Sequence, residues 1–154
     1  MVNFMIKIQI EELKELILDG ISTEELNSGY DYSEVTDMSY MFTNADSFNQ
    51  NLSNWDVSKV ITTYQMFYGT NVFNGDLDNW NLSSATDMRA MFQSAVAFNG
   101  SMENGTIGAA NMQEMFRSAT AFNRNLSTWN VSRDTSMLGM FYVVSAFYGD
   151  LRLW

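Results

Sequence analysis

The sequence predicts an α/β repeat solenoid: a coil whose turns each carry a short strand and a short helix, behind an N-terminal helical cap. Three observations carry this. The pair Met-Phe recurs at Met41-Phe42, Met66-Phe67, Met91-Phe92, Met115-Phe116 and Met140-Phe141, in steps of 25, 25, 24 and 25 residues. A second phenylalanine stands six residues after each, at Phe48, Phe73, Phe98, Phe122 and Phe147. Leu52, Leu77, Met102, Leu126 and Leu151 then keep the same register, and three residues further on stand Trp55, Trp80, Gly105, Trp129 and Trp154. A period of this length means that each unit is one turn of a stack and buries its apolar face only against its neighbours.

The cap is read over residues 1–29. Leu13, Leu16 and Ile17 share one helix face over Glu11 to Leu18, and Gly20 is placed to end that helix. A second short turn is expected to start at Ser22 or Thr23, with Glu24 and Glu25 near its beginning. The segment carries Glu11, Glu12, Glu15, Asp19, Glu24 and Glu25 against Lys7 and Lys14, a polar outer face for the first turn.

Five units of about 25 residues follow over 30–154. Met38, Met41, Phe42 and Ala45 lie at i, i+3, i+4 and i+7, as do Met88, Met91, Phe92 and Ala95. That spacing predicts a short helix in each unit, with Thr36, Thr86 and Thr135 as capping candidates. Phe48 to Leu52 reads as a return turn in which Asn bonds its own backbone. Leu52, Trp55 and Val57 then read as a half-buried strand. The third unit is irregular: Gly105 stands for Trp, Met102 for Leu, and one residue is missing before Met115.

Composition narrows the function classes. The 154 residues contain no Cys and no His, which removes disulfides, thiolate and imidazole metal sites, cysteine nucleophiles and imidazole acid-base catalysis. A net charge of −10 argues against nucleic acid and against anionic lipid as partners. No signal peptide, lipobox or transmembrane segment is evident, so no membrane insertion is expected. No enzyme activity and no cofactor are expected. Asp31, Asp56, Asp76, Asp78, Asp87 and Asp150 are read as turn, cap and solvated residues rather than calcium ligands.

The string Phe-Asn-x-x-Leu-Ser-x-Trp-x-Val-Ser, followed by Thr-x-Met-x-x-Met-Phe, resembles the 26-residue repeats of BspA-like bacterial surface proteins. The resemblance covers about residues 30–154. It implies a leucine-rich-repeat-like coil with one short parallel strand per turn, and a role in surface display or adhesion. The expected function is therefore a non-enzymatic repeat module presenting an elongated surface to a protein or glycan, at a cell surface or on a virion. The rival expectation is a structural phage component, a decoration or tail protein, that docks by an uncapped C-terminal end. Homo-oligomer or virion assembly would follow from such an end. The residues expected to form that contact are Leu151, Leu153 and Trp154.

Overall fold

The computed structural model describes residues 2–28, 30–108, 111–132, 136–152 and 154, with side chains from residue 10 onward except that of Ser28. Helix α1 spans Val2–Leu18 and α2 spans Thr23–Ser28. α1 begins nine residues before the predicted Glu11, because residues 2–10 contain neither glycine nor proline to stop a helix there. It ends as the sequence indicates. Gly20 takes φ +88°, its N–H donates to Ile17 O (3.2 Å) and that of Ile21 to Leu16 O (2.9 Å), a Schellman closure. Ser22 caps α2: its Oγ accepts from the Glu25 N–H, and its own N–H donates to the Glu25 carboxylate, both at 3.2 Å.

The expected α/β solenoid, with one strand and one helix per turn, is not what the structure shows. Among the described residues both helices lie within the first 28 residues. The strands are two residues each, β1 Asn81–Leu82 and β2 Thr106–Ile107, paired in parallel. Elsewhere the parallel pairing shrinks to single bridges, Asp37 with Thr62, Thr62 with Asp87, Asp87 with Asn111 and Asn111 with Ser136. Thr36 and Thr86 therefore cap no helix, and Thr135 lies outside the described residues.

The backbone hydrogen bonds explain the missing helices. The N–H groups of Met38, Tyr40, Phe42 and Asn44 donate to Thr62, Tyr64, Met66 and Tyr68 carbonyls of the next unit, at 2.8–3.0 Å. Between them, Met41, Thr43 and Ala45 donate three residues back, to Met38, Tyr40 and Phe42. An α-helix would claim every one of these N–H groups for its own i−4 carbonyl. Here every second one goes to the neighbouring unit. Residues in the left-handed region make this possible: Tyr40 and Asn44, then Gln65 and Gly69, Ala90 and Ser94, Glu114 and Ser118, Gly139 and Val143. A non-glycine residue there costs about 1–2 kcal/mol. Four inter-unit bonds from each of the first four segments offset that cost. Consecutive turns also bring residues i, i+3, i+4 and i+7 inward, so the helix-like spacing has a second physical origin.

The core is a double column of phenylalanine. Phe42, Phe67, Phe92, Phe116 and Phe141 stack at centroid spacings of 4.9, 5.2, 5.5 and 5.8 Å, within 6° of parallel. Phe48, Phe73, Phe98, Phe122 and Phe147 stack beside them at 5.8–6.0 Å. Trp55, Trp80 and Trp129 are buried. The Trp80 indole N–H donates to Leu52 O (2.9 Å) and that of Trp129 to Met102 O (3.1 Å), each tying its unit to the one before. In the shortened third unit a Cβ at Gly108 would lie 2.5 Å from Ser83 O, so only glycine fits this close approach.

The cap is joined to the first unit by polar contacts. Tyr32 donates its hydroxyl to Leu26 O (2.5 Å), and Trp55 Nε1 donates to Asn27 Oδ1 (3.0 Å). Asn27 Nδ2 donates to Asn51 O (3.3 Å), and Gln50 Nε2 donates to Ile21 O.

Candidate ligand-binding surface

The residue after the second phenylalanine of each unit builds one polar ladder. Asn49 Oδ1 accepts from Asn74 N–H (2.9 Å), Asn74 from Asn99 (2.7 Å), Asn99 from Asn123 (2.9 Å) and Asn123 from Tyr148 (2.9 Å). The sequence marks these asparagines as turn formers bonding their own backbone. In the structure each bonds the next unit instead. The signal that could have shown this is their recurrence at the repeat spacing on an exposed position, where a local turn alone sets no such requirement.

This return edge is concave where the first three units meet. Asn49, Gln50, Asn51 and Ser53 of the first unit line a groove of about 660 Å³ with Asn74, Gly75, Asp76, Asp78 and Asn79 of the second and Asn104 of the third. Asp76 Oδ1 accepts from Ser101 N–H (2.7 Å). Asp78 Oδ1 accepts from the Ser101 hydroxyl (2.7 Å) and from Asn104 N–H (3.2 Å). Burial works against the charged form of Asp78, but these hydrogen bonds outweigh it and hold its carboxyl below the usual carboxylate range. Gln50 Oε1 is buried with no hydrogen-bond partner among the described residues.

The turn edge carries a different surface. Tyr40 and Tyr64 meet edge to face at 5.2 Å, and the Arg89 guanidinium lies 5.0 Å over the Tyr64 ring. Arg89 also forks onto the two oxygens of Asp87 at 2.9 and 2.7 Å, which holds the Asp87 carboxyl below its ordinary range. Arg117 repeats the arrangement, pairing with Glu114 at 2.8 Å and lying 5.1 Å over Tyr142.

Of the residues expected at a C-terminal contact, Leu151 and Trp154 are half-buried and line one depression of about 410 Å³ with Met137, Gly139, Met140, Phe141 and Tyr142. Trp154 stacks on Trp129 at 6.3 Å, and its indole N–H donates to Leu126 O (3.1 Å). Leu153 lies outside the described residues. Asp31, Asp56, Asp87 and Asp150 each accept the N–H two residues on, as turn residues do. Among the described residues no group of three or more Asp or Glu is placed to hold a metal ion.

Tandem units of about 25 residues, joined by side-chain and backbone ladders, define a repeat-containing protein with two polar edges. The family model described as "Mycoplasma protein of unknown function, DUF285" matches residues 11–108 and again residues 105–154, and the chain belongs to that family. No curated protein and no solved structure matches. Among the described residues no helix is long and apolar enough to cross a membrane.

Proposed function

We propose that the chain is a non-enzymatic repeat module that presents its polar edges to a protein or glycan at a cell surface, as the BspA-like surface proteins it resembles are held to do. The observation that carries this reading is the asparagine ladder from Asn49 to Tyr148. It fixes four asparagine side chains at regular positions across the first four units, the fifth supplying the Tyr148 N–H. Side chains held in this way bind with less loss of rotamer freedom. Asp78 does not suit the acid of a glycosidase, which needs a raised pKa, because its hydrogen bonds push it the other way.

The test is to offer the purified chain, at micromolar concentration, to arrays of extracellular-matrix proteins and of glycans. Saturable binding to one of them is expected. Silence on both overturns the reading.

A further inference from the structure

We infer that the groove between the first three units binds a neutral oligosaccharide. This rests on the contact-surface reading above and gives it a place and a ligand class. A volume of about 660 Å³ suits a short sugar chain, within the roughly 300–1,000 Å³ typical of small-molecule sites. The lining decides the chemistry. It is made of amides, a hydroxyl, two carboxylates and Gly75, with no lysine, arginine, aromatic or branched aliphatic side chain among the described residues. An apolar ligand would find a wall that is mostly polar. An anionic ligand would meet Asp76 and Asp78 with no cation to offset them. A sugar hydroxyl is both donor and acceptor, and this wall offers both.

The donors are preorganised. Asn49 and Asn74 each commit Oδ1 to the next unit's backbone, at 2.9 and 2.7 Å. This holds each side chain in one rotamer and leaves its Nδ2, which has no partner among the described residues, one unit apart from the next. Vicinal hydroxyls on successive sugar rings can accept from such a row. The acceptors are equally placed. Asp76 and Asp78 supply the acceptors, their carboxylates held in place by Ser101 and Asn104 of the third unit.

The experiment is a ¹⁵N NMR titration of the full chain with cellotetraose, chitotetraose and maltotetraose, and separately with spermidine as a cationic competitor. At least one sugar is expected to shift the side-chain amides of Asn49, Asn74, Asn79 and Asn104. Asn79→Lys, at an exposed lining position, should then weaken that sugar by at least about tenfold, roughly 1.4 kcal/mol. Glu12→Lys on α1 should leave binding unchanged. Asp76→Ala serves as a second groove variant if the Asn79→Lys spectrum shows unfolding. Sugar-induced shifts confined to the Tyr64 and Arg89 edge would overturn the groove assignment and leave the contact-surface reading standing. Spermidine shifting the groove while no sugar does would make it a cation site. No shift from any sugar also overturns the inference, and the protein array then decides the broader reading by itself.

Discussion

The phenylalanine columns and the tryptophan column run side by side through the same units but are built differently. Each phenylalanine column is continuous through five units, ring on near-parallel ring except where Phe48 tilts 28° to Phe73. The tryptophan column is interrupted at Gly105, and no ring contact joins Trp55 to Trp80. What repeats there is the indole N–H donating to a carbonyl of the preceding unit. One column is held by apolar contact, which any break in shape weakens along its length. The other adds to its burial a directed bond from Trp80, Trp129 and Trp154, with rings stacked only between Trp129 and Trp154, so it tolerates a glycine in its middle. Repeats therefore survive irregularity where the linking interaction is local.

Four changes would break or sharpen this contrast. The largest effect is expected from Phe92→Ala, at the centre of the first column, with rings on both sides at 5.2 and 5.5 Å and Phe98 at 3.9 Å. Truncating a buried aromatic there should cost about 3–5 kcal/mol in denaturant unfolding. A loss under about 1 kcal/mol would remove the columns from the core argument. Trp80→Phe keeps an aromatic ring but deletes the indole donor to Leu52 O and some volume, for an expected cost of about 2 kcal/mol. Should it prove neutral, the directed bond contributes nothing and the two columns are alike.

A gain is expected from Thr63→Val. Thr63 is fully buried in the register where the neighbouring units place Met38 and Met88, and its hydroxyl has no partner among the described residues. The isosteric change should raise stability by about 1 kcal/mol, read as a higher midpoint at unchanged m-value. A lower midpoint would show that the hydroxyl is satisfied in solution.

The smallest effect concerns pH. Asp87 is held below its ordinary carboxylate pKa by Arg89, so its folded value lies beneath its unfolded one. Its contribution is present above the unfolded pKa and is lost as pH falls through the folded value. Asp87→Asn should therefore flatten the acid limb of the stability profile relative to the parent. Identical acid limbs would place the pair among surface contacts of no consequence.

Much of the core was legible in the order of residues. The period, the paired phenylalanines, the buried tryptophans and the Gly20 stop all follow from apolar register and glycine chemistry. The units' internal conformation was not. The spacing of Met38, Met41, Phe42 and Ala45 fits a helix and fits two consecutive turns equally well. The choice between them depends on whether alternate N–H groups find carbonyls in a neighbouring unit. The asparagine ladder was visible as a recurrence of Asn49, Asn74, Asn99 and Asn123. Its concavity was not, because that comes from how the first units meet each other.

By itself, then, the sequence determined which residues leave water and in what register, since apolar periodicity is a property of the chain. Only the tertiary structure decided where the backbone hydrogen bonds go. A backbone N–H is identical at every residue, and its partner is chosen by whichever carbonyl the stacked neighbour brings within about 3 Å. That choice turned expected helices into left-handed turns, and it shaped the polar groove at the return edge.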